Sequence, residues 1–230
     1  MRFQKYILIG LFALIISNAN AQAEFSKWYF GQNAGLDFAS SPPTVLTNGM
    51  MATGEGCATI SDVNGNLLFY TDGVTVYDNT HSVMANGTGL FGHSSSTQSA
   101  LIVKQPGNIN IYYIFTVTQV GGFQGANYSI VDMNLAAGLG SVMVKNSTLY
   151  VPSCEKQVAV RHCNSKDVWI VSHEYNSNKF RSYLLTSAGL NTVAVVTAIG
   201  ETITGNGAAT LGQMKISPDG KKLAIATLSS

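Results

Sequence analysis

Four times along this chain, two short β-rich runs face each other across a tight turn, and that repetition limits what the chain can fold into. Ala58 to Ser61 and Leu67 to Thr71 flank Asp62-Val63-Asn64-Gly65-Asn66, and Ala100 to Lys104 and Ile111 to Thr118 flank Pro106-Gly107-Asn108. Val158 to His162 and Val168 to His173 flank Asn164-Ser165-Lys166, and Met214 to Ser217 and Lys222 to Thr227 flank Pro218-Asp219-Gly220-Lys221. β-branched and aromatic residues dominate the runs, as a pleated sheet favours. Asn64-Gly65 and Asp219-Gly220 put residues that tolerate positive φ at the tightest point. The pattern predicts antiparallel hairpins at 58–61 with 67–71, 100–104 with 111–118, 158–162 with 168–173, and 214–217 with 222–227. Leu135 to Val144 comes nearest to a helical apolar period, and Gly138 and Gly140 interrupt it. The fold class expected is all-β with little helix.

The turns recur roughly every 43 to 57 residues, the period of a β-propeller whose blades are four-stranded antiparallel meanders. Further β-rich runs follow the hairpins: Val74 to Asp78 after the first, then a poorly patterned stretch. Ala126 to Met133 and Val142 to Lys145 follow the second, and Lys179 to Thr186 and Thr192 to Thr197 follow the third. Lys27 to Phe30 and Thr44 to Thr47 read as the outer half of a blade without its inner hairpin. About three full blades plus a partial blade at each end are therefore expected. In a closed ring, Trp28 to Phe30 or Thr44 to Thr47 would pair with Lys222 to Thr227. The expectation is instead an open, incomplete propeller belonging to a longer protein, with Leu223 and Ile225 partly exposed.

Residues 1–21 read as an export signal: Arg2 and Lys5, an apolar run from Tyr6 to Ile16, then Ala19-Asn20-Ala21 as a cleavage pattern. The apolar run is too short to span a bilayer, so residues 22–230 form the exported propeller region with no membrane span. Charged residues make up 11% of the chain and nearly balance, leaving no basic face for nucleic acid. Export raises the question of disulfides among Cys57, Cys154 and Cys163. Cys154 and Cys163 bracket one strand, which would hold their Cα atoms roughly 25–30 Å apart, beyond the ~7 Å limit of a disulfide. A Cys57–Cys154 pair stays open but has nothing in the sequence to support it, and all three are read as small buried apolar residues.

An ordered series of motifs carries a family resemblance. It runs through Trp28-Tyr29-Phe30-Gly31, Ala34-Gly35-Leu36-Asp37-Phe38, Glu55-Gly56 and Gly65-Asn66-Leu67-Leu68-Phe69-Tyr70-Thr71-Asp72-Gly73. It continues through Asn86-Gly87-Thr88-Gly89-Leu90, Ser95-Ser96-Thr97-Gln98-Ser99 and Lys215-Ile216-Ser217-Pro218-Asp219-Gly220. The series resembles the N-terminal propeller of gliding-motility-associated, type IX secreted surface proteins of Bacteroidetes-type bacteria. The last hairpin also matches WD-like and TolB-like propellers. The resemblance implies a cell-surface-associated adhesion or gliding role. The Ig-like modules and sorting domain of that family are not among these 230 residues.

Candidate sites follow from position and residue type. Asp62-Val63-Asn64-Gly65-Asn66 has the oxygen spacing of a calcium loop but no downstream bidentate Glu, so it reads as a turn. The four histidines show no metal or protease spacing and read as structural or surface residues. No Gly-x-Ser-x-Gly elbow and no phosphate cradle occur. No metal or cofactor is expected. Glu55, Thr97 and Glu155 each stand ten residues before the corresponding turn position, Gly65, Gly107 and Ser165. With Gln98 and Lys156 they would ring one mouth of a propeller channel and bind a ligand there. The expected function is a non-catalytic binding or scaffold module for a protein or glycan. The alternative is a secreted polysaccharide hydrolase with Glu55 and Glu155 as its carboxylate pair.

Overall fold

The structure, a computed structural model, describes residues 20–228. The export-signal segment 1–21 lies outside the described residues apart from its last two positions. Eighteen strands and four short 3₁₀ turns make up the described chain, and none of its helices is long and apolar enough to cross a membrane. It is all-β.

The strands fall into successive antiparallel meanders. β1 (Lys27–Phe30), β2 (Ala34–Asp37) and β3 (Thr44–Leu46) form a three-stranded sheet. β4 (Ala58–Ser61), β5 (Leu67–Thr71), β6 (Thr75–Asp78) and β7 (Val83–Thr88) form the next. β8 (Ala100–Lys104), β9 (Ile111–Val117), β10 (Ala126–Asp132) and β11 (Ser141–Tyr150) follow. One parallel bridge, Ser141 with Ala85, links these two meanders into an eight-stranded path. Then come β12 (Ser153–Arg161), β13 (Val168–Glu174) and β14 (Ser177–Thr186). β14 also pairs the two-residue β15 (Gly189–Leu190) and β16 (Val195–Ile203). β17 (Met214–Ile216) and β18 (Leu223–Ile225) stand as a hairpin alone.

All four hairpins expected from the turns are present, as β4–β5, β8–β9, β12–β13 and β17–β18. Two regions differ from expectation. The N-terminal part is not a hairpin-less half-blade, because Ala34–Asp37 folds back on β1 as a third strand. Its Gly35 weakens the β signal, yet the position requires glycine: a β-carbon there would lie 2.8 Å from the Trp28 carbonyl oxygen. The poorly patterned stretch after β6 contains β7, whose Asn86-Gly87 reads as a turn. Neither β1 nor β3 pairs with β18.

The sheets stack face to face, and β9 shows why. Its side chains alternate, with Tyr112 and Ile114 joining Ile60, Phe69 and Val76 in one core while Tyr113 and Phe115 join Ile170 and Leu185 in another. A strand covered on both faces reads as an unbroken apolar run, which is what Ile-Tyr-Tyr-Ile-Phe is. Tyr29 and Met51 similarly meet Leu67 and Tyr70 between the first sheet and the second. Full burial of one such side chain is worth about 1.5–3 kcal/mol, so the interfaces between layers hold the molecule together.

Candidate functional site

The segments entering the first strand of each meander lie side by side. The Gly54 and Glu55 amides donate to the Ser94 carbonyl at 3.1 and 3.2 Å, and the Gly56 amide donates to Ser96 at 3.0 Å. The approach is close enough that a β-carbon at Gly56 would collide with the Ser99 backbone and lie 2.6 Å from the Ser96 carbonyl oxygen.

One step along, the contact becomes a buried polar node. Glu155, fully buried in β12, accepts from the Thr97 amide at 2.8 Å and its hydroxyl at 3.1 Å through Oε2. Its Oε1 accepts from the Val120 amide at 2.7 Å, and the Thr210 hydroxyl lies 3.3 Å away. No cation pairs with Glu155 among the described residues; amide and hydroxyl dipoles solvate its charge. Lys156, equally buried, donates from Nζ to the Ala209 and Thr210 carbonyls at 3.1 and 2.6 Å. Loss of water around this ammonium holds its pKa below the ordinary lysine value. Gln98 Oε1 accepts from the Gln157 and Met214 amides at 3.2 and 2.9 Å, and Gln157 Nε2 donates to the Gln98 and Phe115 carbonyls at 2.8 and 3.1 Å. The Gly212 amide donates to the Thr97 hydroxyl at 3.1 Å. Three successive repeats are thus fastened at one point.

Of the five residues singled out in the sequence, Thr97, Gln98, Glu155 and Lys156 come together here. Glu55 does not. It is exposed, and its contact is with the Ser95 hydroxyl at 3.3 Å. The node contains no open carboxylate pair, since Glu155 has no exposed surface and each of its oxygens already holds a backbone amide. Val120, Gln157 and Thr210 belong to the node without having been singled out. Thr210 was within reach of the sequence, because counting ten residues back from Gly220 lands on it. The Val120 amide carries no such signal; it is aimed by a left-handed residue at φ 45° in the Gln119–Gly121 turn.

A second feature is a cleft of about 1060 Å³ between the β12–β16 sheet and the β17–β18 hairpin. Trp169, Phe180 and Val195 line one wall; Ile216, Leu223 and Ile225 line the other. Leu223 is 39% exposed.

The remaining chemistry-bearing residues have structural surroundings. Asp62 accepts from the Asn64 and Asn66 amides at 2.8 and 2.9 Å and closes its own turn. His173 is buried edge-on to Phe180, its Nδ1 3.7 Å from Cys154 Sγ, and burial lowers its pKa. Cys154 is buried and Cys57 half-buried, but Cys163 is exposed, contrary to the reading of all three as buried. β12 ends at Arg161, which leaves Cys163 in the turn. No group of three or more His, Cys, Asp or Glu side chains is placed to hold a metal ion among the described residues. No protein-family model, curated protein or solved structure matches this chain.

Proposed function

We propose that this chain is part of a β-propeller of four-stranded blades and serves as a non-catalytic binding module. In this reading it belongs to an exported, cell-surface-associated protein of the gliding-motility type. The observation that carries the proposal is the node at Glu155. The most buried carboxylate of the motif-bearing loops is spent on holding neighbouring repeats together, which suits a rigid scaffold better than an acid–base pair. Face-to-face stacking of successive meanders supports the propeller. So does the β17–β18 hairpin, which pairs antiparallel across a tight turn as β4–β5, β8–β9 and β12–β13 do. Ligand contacts then fall to the loops, which a rigid sheet stack positions.

The test is incubation of the protein with a panel of soluble polysaccharides, with reducing-sugar release and retention on immobilised polysaccharide measured together. Retention without sugar release is expected. Sugar release that disappears in both Glu55→Gln and Glu155→Gln would overturn the binding-module reading in favour of a hydrolase.

A further inference from the structure

We propose a saccharide-binding platform at the N-terminal end of the described chain, built from Phe25, Trp28 and Phe38 and faced by Asn64 and Asn66. It rests on the binding-module reading and gives that module a site and a ligand class. The three rings are exposed by 58%, 53% and 42%, although large aromatic side chains ordinarily bury most of their surface. They line one pocket of about 600 Å³ with the Asn64-Gly65-Asn66 turn.

The platform is held in shape before any ligand arrives. The Trp28 indole N–H donates to the Phe25 carbonyl at 2.9 Å, which fixes the indole plane. Phe38 packs against it with ring centroids 4.8 Å apart. The facing turn is locked by Asp62, which accepts from both asparagine amides and from the Asn66 side chain at 2.9 Å. Gly65, at φ +83°, lets the turn come close: a β-carbon there would sit 3.1 Å from Ser26 Oγ. The Asn64 side-chain amide makes no hydrogen bond with any described residue and has donors and an acceptor to offer.

The composition of the pocket selects the ligand. Three aromatic rings and the polar Asn64-Gly65-Asn66 turn line it, with no Leu, Ile, Val or Met among them. Flat, fixed aromatic faces beside the free Asn64 amide match a pyranose, which presents an apolar C–H face and a rim of hydroxyls. A preorganised platform also avoids the ordering cost of assembling a site on binding.

Trp28 and Trp169 are the two tryptophans of the chain, so Trp169→Phe leaves Trp28 as the sole indole reporter. The experiment titrates this variant with β-glucan, xylan, galactomannan and chito-oligosaccharides while following tryptophan fluorescence. Affinity electrophoresis on the same glycans compares wild type with Trp28→Ala, Phe38→Ala and Asn64→Ala. At least one glycan is expected to change Trp28 emission, and Trp28→Ala and Phe38→Ala are each expected to weaken its binding about tenfold, the scale of one lost aromatic contact. Because these rings are half exposed, circular dichroism should show the variants folded. A glycan bound equally well by all three variants would overturn this site and leave the binding-module reading standing. Failure of every glycan to bind would overturn the platform, as would capture of a protein partner through Trp28 in the absence of glycan binding.

Discussion

Burial sets the protonation of the interior groups more than ion pairing does. Loss of water raises the Cys57 thiol to about 11, the Cys154 thiol to about 12 and the Tyr112 hydroxyl to about 12. It lowers His173 and His81 below the ordinary histidine value. In the unfolded chain the thiols ionise from about pH 8.5 and the histidines gain protons below about pH 6.5. Groups whose folded pKa is raised stabilise fully below the unfolded value and lose that contribution as pH climbs toward the folded one. Depressed histidines stabilise fully above the unfolded value and lose it as pH falls. Lys156 runs against the alkaline trend, because rising pH relieves the cost of its buried charge, but one ammonium opposes two thiols and seven phenols that burial raises. Urea midpoints are therefore expected to be highest between about pH 6.5 and about pH 8.5 and to fall on both sides. A midpoint still rising above about pH 9 would contradict this account of the interior.

At the scale of elements, the node at Glu155 joins β12 to the loop before β8, the turn at 119–121 and the segment before β17. Glu155→Gln replaces one acceptor oxygen with an amide that faces backbone donors. It is expected to cost roughly 2–4 kcal/mol in chemical denaturation, while Glu55→Gln at the surface should stay within about 0.5 kcal/mol. Equal effects would mean that the node does not fasten the repeats. The hairpins were legible in the sequence because turn chemistry is local: Asn64-Gly65 and Asp219-Gly220 announce positive φ wherever they occur. β2 and β7 were not, since Gly35 and Asn86-Gly87 are there for close approach and irregular pairing, and both look like breaks in a strand. The polar node was half legible. Position relative to the turns picked out Thr97 and Glu155, but nothing local told that Glu155 would be sealed and Glu55 left in solvent, which depends on how layers pack. The aromatic platform was hidden for a related reason, because Trp28 and Phe38 alternate like core residues and only the stacking of sheets shows which face stays open.

Among the described residues the sheets stack with their interior faces covered, whereas the last hairpin buries Met214 and leaves Leu223 39% exposed. β9 is hydrogen-bonded on both edges, by β8 and β10. Among the described residues β18 is bonded on one edge, by β17. The Ala226 amide reaches the Gln213 carbonyl and the Ser217 amide reaches the Lys222 carbonyl, both at 2.8 Å. Antiparallel alternation then turns the Leu223 and Ile225 N–H groups toward the free edge. An open apolar edge of this kind invites pairing with another strand. Native-state hydrogen exchange read residue by residue tests this most directly. Amides across β9 should be among the slowest to exchange, while those of Leu223 and Ile225 should exchange near the rate of an unprotected chain. Protection of Leu223 and Ile225 equal to that of β9 would contradict the open stack of repeated meanders.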